Sequence, residues 1–393
     1  MKFIHVGDTH IGNVYKNDIR NEDVKNAFKQ VVDSALKYNV DFVVHSGDLF
    51  NEGNPDLGAL LFVTDQLNRL KEFGIKVFIV PGSHDVGMGD EDSIVELFDR
   101  NGLLINLNSK RYISNEESGF HLEGETYRNA FLCGIRGKRS KVENEIFKRL
   151  KIKIDAKAWI RIFIFHHTIS SLGEQFKDLD TESLPKGFEY YAAGHWHGHK
   201  DNISYDEGII QYPGSTEYCD EKEMVDNPNR GYYLIEYDEQ GIEKIEYCLL
   251  KTREKTIVRI NADKKSAGEI ESEVISALSK NQGKTLVIKI SGKLSGKRGD
   301  LDLGRIKKET AELGYSYTSI NTAKLVDDDD NVVEIKESDL NNIESEFLKS
   351  RGYNDDAIAL AKMLIEATAS KSSSESIKVR AEEIFDKYDN KRP

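Results

Sequence analysis

Five short clusters in this sequence carry residue types that hold metal ions or move protons. They are Asp8-Thr9-His10, Gly47-Asp48, Gly82-Ser83-His84-Asp85, His166-His167 and Gly194-His195-Trp196-His197. Imidazole and carboxylate together suit borderline divalent metals such as manganese, iron or zinc. Asp8 and His10 are two residues apart, as are His195 and His197, so in an extended segment each pair would project from one face. Glycine beside a ligand lets the backbone turn sharply where a strand ends. A single strand-end histidine is ordinarily a hydrogen-bonded core or rim residue. Five clusters in order, each after a predicted strand, point instead to one divalent-metal site. His5, His45, His121 and His199 lie outside these clusters and are assigned to packing.

The elements that must position the clusters follow from periodicity. Residues 3–6 read as a buried strand meeting a loop at Gly7-Asp8. Val24, Ala27, Phe28, Val31, Val32, Ala35 and Leu36 recur at three- and four-residue spacing, which predicts a helix over 22–38. Strand 41–45, helix 57–73 and strand 75–80, stopped by Pro81-Gly82, come next. This βαβαβ order implies right-handed crossovers, a largely parallel sheet and chemistry at the strand C-terminal ends. Further strands are predicted at 130–135, 160–166, 190–193, 209–212, 232–237 and 242–250, the last ones as antiparallel hairpins. From residue 255 the pattern restarts. Strand 256–260, helix 267–279, strand 285–290, helix 303–313 and strand 318–325 make a small α/β unit. The acidic run 327–330 reads as its solvated exit. Helices over 339–349, 355–368 and 377–388, with a Ser-rich linker at 371–376, complete the chain.

Composition bounds the function. The 393 residues predict two or three domains at roughly 100–200 residues each. Hydrophobic residues make up 38% and charged residues 31%, the balance of a globular protein with a charged surface. No run of about 18 apolar residues offers a membrane span, and the polar residues that follow Val6 exclude a signal peptide, so a cytoplasmic protein is expected. Three scattered cysteines, Cys133, Cys219 and Cys248, form no disulfide framework or zinc spacing and suit a reducing compartment. With a net charge of -13, a phosphate-bearing substrate must be held by bound cations or a local basic patch. All ten histidines precede residue 200, which separates a catalytic N-terminal part from a chemically different C-terminal part.

The order Asp-x-His, Gly-Asp, Gly-x-His-Asp, His, Gly-His-x-His resembles that of the calcineurin-like metallophosphoesterases. Three longer segments narrow the resemblance: His45-Ser46-Gly47-Asp48-Leu49-Phe50, Pro81-Gly82-Ser83-His84-Asp85 and Tyr212-Pro213-Gly214-Ser215-Thr216-Glu217 look like the SbcD/Mre-eleven DNA repair nucleases. The resemblance implies an α/β metallophosphoesterase sandwich, mixed sheets flanked by helices, over 1–250. It also implies a small α/β DNA-capping domain over 251–330 and a helical tail over 338–393 that binds an SbcC/Rad-fifty-type coiled-coil ATPase. Two manganese ions are expected, clamping both sides of an in-line phosphoryl displacement. Carried over by motif position, Asp8, His10 and His197 hold one ion, His166 and His195 the other, and Asp48 bridges them. His84 is then the proton donor or charge stabiliser at the leaving oxygen, and Asp85 orients its imidazole or serves as a capping residue.

Two positions depart from the family pattern. Ser83 replaces an Asn whose amide oxygen binds the second metal, and a hydroxyl is the shorter and weaker ligand. Asn51 replaces a His that contacts phosphate, and it can donate a hydrogen bond but carries no charge. The resemblance implies a manganese-dependent nuclease, cutting duplex ends as an exonuclease and single strands as an endonuclease. The alternatives are a small-molecule phosphodiesterase or phosphatase with the same metal core, and a weakly catalytic DNA-end-binding scaffold. Two basic stretches are candidate contacts to the DNA backbone or merely solvated faces: Arg136, Lys138, Arg139 and Lys141, then Lys284, Lys289, Lys293, Lys297 and Arg298. No base-reading motif is visible, so recognition without sequence preference is expected. The apolar positions Leu57, Leu60, Leu61 and Leu67 are either a homodimer surface or core packing. The layout is that of a prokaryotic, nucleoid-associated protein.

Overall fold

The computed structural model describes residues 1–12, 17–87, 92–116, 119–137, 143–226, 229–278, 283–328 and 349. Lys138, Arg139 and Lys141 lie outside the described residues, as do the tail segments expected between 338 and 393, apart from Lys349.

Two six-stranded mixed sheets carry the site. The first runs Gly241–Leu249, Gly231–Asp238, Lys2–Val6, Phe42–His45, Lys76–Ile79, Ile105–Asn106. The second runs Lys200–Tyr205, Gly208–Tyr212, Tyr190–Gly194, Ile160–His166, Ala130–Ile135, Glu125–Tyr127. Lys2–Val6, Phe42–His45 and Lys76–Ile79 pair in parallel, as do Ala130–Ile135, Ile160–His166 and Tyr190–Gly194.

Alternation along each strand decides which layer a side chain enters. Phe3, Phe42, Val44, Phe78, Ile162, Ile164 and Tyr190 fill the space between the sheets, where Phe3 stacks on Phe42 at 5.0 Å. Ile4, Val6, Val43, Val77 and Ile79 point the other way, against Val24, Phe28, Val31, Val63 and Leu67 of helices Asp18–Tyr38 and Leu57–Glu72. Phe131, Phe163, Phe165 and Tyr191 form a third apolar layer on the outer face of the second sheet. The α/β sandwich of mixed sheets flanked by helices is therefore the fold.

Differences from the sequence reading are local. The first helix begins at Asp18 rather than 22, because Asn17 Oδ1 accepts from the Ile19 and Arg20 N–H groups as an N-cap. Arg20 and Asp23 are buried in its first turns as an ion pair at 2.6 Å, so an apolar count misses them. A small sheet of Ile113–Glu116, Gly119–Leu122 and Leu150–Ile152 was not expected, and its strands are too short and polar for a period-two signal.

Beyond the sandwich, Lys255–Asn261, Thr285–Lys293 and Tyr317–Val326 form a three-stranded sheet with helices Ala267–Ser276 and Leu303–Glu312. By compactness the chain divides differently. Among the described residues, Met1–Asn261, Ile270–Ile290 and Asp302–Ala323 belong to one unit, and Ala262–Glu269, Ser291–Leu301 and 324–328 to another. No helix among the described residues is long and apolar enough to cross a membrane.

Candidate metal centre

Each cluster sits where a central strand ends. Asp8 and His10 follow Lys2–Val6, Asp48 follows Phe42–His45, His84 follows Lys76–Ile79, His166 closes Ile160–His166, and His195 and His197 follow Tyr190–Gly194. The extended geometry expected for Asp8–His10 and for His195–His197 does not hold. Asp8, His10, Asp48 and His195 have φ values of 51°, 46°, 52° and 81°, the left-handed region that non-glycine residues enter at a cost of about 1–3 kcal/mol each. Two of these sharp turns hang on the loop after Phe42–His45, which itself holds Asp48: Asp8 N–H donates to the Gly47 carbonyl at 2.9 Å and His10 N–H to the Asp48 carbonyl at 3.0 Å.

One half of the centre comprises Asp48, His166 and His195, whose ligand atoms lie within 4.8 Å of one another. His166 Nδ1 donates to the Ser46 carbonyl at 2.8 Å, so its Nε2 faces Asp48 Oδ2 at 3.0 Å and His195 Nδ1 at 3.2 Å. Burial opposes a charge on His166, but the Asp48 carboxylate prevails and raises its pKa to about 9. Asp48 itself is held well below the usual carboxylate range: burial opposes this, and His166 with His10 overcomes it. His195 goes the other way, to about 4, through burial and the neighbouring His166. Its Nε2 lies 3.4 Å from Asp178, whose carboxylate also accepts from Thr168.

The other half comprises His10 and His197, whose Nε2 atoms are 3.1 Å apart. His10 Nε2 lies 3.8 Å from Asp48 Oδ2, and His197 Nε2 3.8 Å from Asp8 Oδ1. His197 Nδ1 donates to Glu223 Oε1 at 2.6 Å, and Glu223 Oε2 accepts from Arg230 at 2.8 Å, from Ser215 and from the Cys219 N–H. Burial disfavours charge on His197, but Cys219, Glu223 and Asp8 around it push its pKa well above the ordinary value. Asp8 is raised to about 6, chiefly by burial, and both its oxygens accept the His195 N–H.

This donor set fits divalent cations. The buried Asp48 carboxylate is grouped with four imidazoles, His10, His84, His166 and His195, and the two opposed Nε2 atoms of His10 and His197 need a proton or a cation between them. Glycine leaves the room: a Cβ on Gly82 would collide with the Asp48 carboxylate, and one on Gly194 with the Ser46 carbonyl. Ser83 Oγ, too, is buried without a hydrogen bond.

The remaining expectations are placed as follows. His84 donates its backbone N–H to Asp48 Oδ1 at 2.7 Å, and its Nδ1 lies 2.8 Å from the Asn51 carbonyl. Asp85 shows the capping alternative. Its carboxylate accepts the Leu49, Phe50 and Gly82 N–H groups, tying two loops together, because a fully buried carboxylate is satisfied first by nearby backbone donors. Burial and the Asp48 charge raise it to about 6. Asn51 meets His84 through its main-chain oxygen. Arg136 lines a polar cavity with Pro81, Ser93, Asn106 and Lys110. Lys293, in the second compact unit, pairs with Asp328 at 3.3 Å. His5 and His45 are buried in strands, as assigned. Sequence reading missed Asp178, Glu223, Arg230 and Cys219, for no strand-end signal marks them.

The model of the calcineurin-like phosphoesterases matches residues 1–199 of this chain, half of its length. The chain belongs to that family. It is a metal-dependent phosphoester hydrolase. Among curated relatives, the DNA double-strand break repair protein Mre11 of Methanocaldococcus jannaschii is 32% identical over 283 residues, 70% of this chain and 73% of that protein. The protein of the same name from Sulfolobus acidocaldarius is 25% identical over 395 residues, 96% of this chain and 98% of its own. The uncharacterized metallophosphoesterase YhaO of Bacillus subtilis is 28% identical over 249 residues, 60% of this chain and 57% of its own.

Proposed function

We propose that this phosphoesterase is a manganese-dependent DNA nuclease, an exonuclease on duplex ends and an endonuclease on single strands, working in a double-strand-break repair complex. One observation carries the substrate class: the likeness to an Mre11 protein runs over 96% of this chain, far past the phosphoesterase region, and a small-molecule phosphatase has no use for that extra length. The domain plan follows the same reading, with 1–250 as nuclease, 251–330 as DNA-capping domain and 338–393 as docking segment for a Rad-fifty-type coiled-coil ATPase. Leu57 and Leu61, 70% and 56% exposed on helix Leu57–Glu72, support two-copy association, whereas Leu67 is core.

Asp8, His10 and His197 would hold one manganese ion, His166, His195 and Ser83 the other, with Asp48 between them. The bound ions neutralise phosphodiester charge and acidify water. His84, its ring fixed by the Asn51 carbonyl at Nδ1, presents Nε2 to the leaving oxygen and gives it a proton. Asp85 holds the loops that carry Asp48 and His84 in register. Arg136 and Lys293 are assigned to the DNA backbone, as is Lys138.

A labelled hairpin DNA assay beside a nitrophenyl phosphodiester assay, both with manganese, tests this. Cleavage of both substrates is expected. Turnover of the small diester alone would move the protein to the phosphodiesterases, and DNA binding without turnover would leave an end-binding scaffold.

A further inference from the structure

Cys219 has no part in the ligand set above, yet its sulfur belongs to a third ligand group: with nitrogens of His10 and His197 it lies within 4.8 Å of both. The loop aims it there. Its N–H donates to Glu223 Oε2 at 2.9 Å, the same carboxylate that fixes His197, and Sγ interacts with the His197 ring besides making a long contact of 3.6 Å to the Glu217 carbonyl. Asp48, 1% exposed, places its Oδ2 3.8 Å from His10 Nε2. The other cysteines differ: Cys133 is core and Cys248 lies on an edge strand, neither in any ligand group among the described residues.

Sulfur changes what a site selects. Carboxylate oxygens suit manganese and magnesium and imidazole suits zinc and iron, whereas a thiolate shifts a site further toward zinc, iron(II) and cobalt(II). We propose that Cys219 is a further ligand of the cation at the His10–His197 half-site and biases that half-site toward thiophilic divalent ions over manganese. The Asp48–His166–His195 half-site has oxygen and nitrogen donors only and keeps no such bias. Binding forms a sulfur–metal bond and releases the Cys219 thiol proton to solvent. The inference rests on a cation occupying this half-site, as the proposed function requires.

Cobalt(II) loaded into the metal-stripped full-length chain provides the test, because sulfur-to-cobalt charge transfer absorbs in the near ultraviolet and needs no turnover. The wild-type chain should show that band, and Cys219→Ser should lose it while still binding cobalt. In competition with manganese, the Ser variant should also lose zinc preference at one site by at least ~10-fold, the lower end for altered ligand environments. Cobalt bound by the wild type without the band would overturn the role of Cys219 and leave the two-metal reading standing. A wild-type chain that binds no cobalt would overturn both. A band that persists in Cys219→Ser would assign the sulfur elsewhere. The wild-type spectrum decides even if the variant folds poorly.

Discussion

The two halves of the centre share Asp48 but are braced by different parts of the chain. The Asp48–His166–His195 half is held mainly from within the strand-end loops: the Ser46 carbonyl fixes His166, and Ser46 is two residues from Asp48. The His10–His197 half is held from outside by a buried ion pair, Glu223 with Arg230, in a segment where no ligand motif occurs. A histidine positioned by main chain keeps its orientation as long as the strand ends are folded. One positioned by a charged side chain depends on a second, separately removable partner. The first half should therefore fail only with the fold, and the second should be separable from it.

Asp48→Ala is the largest expected effect, because the carboxylate faces both halves. Metal content and phosphodiesterase activity should fall together below detection, as read by elemental analysis and a nitrophenyl diester assay. Normal metal stoichiometry in this variant would break the idea of a shared residue. His84→Ala should separate chemistry from binding: turnover falls by ~10²–10⁴-fold while metal content stays. Loss of metal there would make His84 a ligand, a reading that its grouping with His10 and Asp48 allows.

Glu223→Gln addresses the second half alone. It should weaken one of two metal-binding events by ~10–100-fold in calorimetry and leave the other unchanged. A simultaneous loss of both would show the halves to be one unit. Arg230, 1% exposed, is left with an uncompensated charge, so the thermal midpoint should drop too.

The contrast also explains what was legible in the sequence. The strand-end clusters were visible because each follows directly on a strand, and apolar strands announce where they end. Glu223 and Arg230 were hidden. They lie in and just after the short acidic helix Glu221–Asp226, where a buried carboxylate looks like any solvated one, and only folding brings them to His197. Asp85 was legible only as a choice: adjacency to His84 suggested either a contact to its imidazole or a capping role, and its carboxylate accepts backbone donors. Sheet order and the helix faces were legible, whereas short polar strands such as Ile113–Glu116 were not.

Ser83→Asn sharpens the comparison from the first half. The buried Ser83 hydroxyl has no hydrogen bond, and the longer-reaching amide oxygen of an asparagine should bind a cation more tightly. The manganese concentration for half-maximal activity should fall a few-fold, without change at the His10–His197 half. An unmoved titration curve would mean that the hydroxyl already suffices.

The smallest expected effect on the centre, and the most direct on the fold beneath it, comes from His5. Its Nδ1 meets the Tyr190 hydroxyl at 2.9 Å and its Nε2 the Ser46 hydroxyl at 3.2 Å, so it braces the residue whose carbonyl fixes His166. Burial, then the nearby His45, lowers its pKa to about 3. Between about pH 6.5 and 3 the unfolded chain therefore takes up a proton that the folded chain refuses, and stability must fall as the pH falls through that window. From pH 6.5 to 5 this one group accounts for roughly 1–2 kcal/mol, since the unfolded imidazole goes from half to fully protonated at ~1.4 kcal/mol per proton and pH unit. His5→Gln should be less stable than the wild type at pH 7 by about 1 kcal/mol for the lost hydrogen bonding. It should also lose stability more slowly on acidification, so that urea midpoints converge or cross near pH 5. Parallel midpoints at both pH values would mean that His5 is not the acid-sensitive group, and would return the first half's brace to the loops alone.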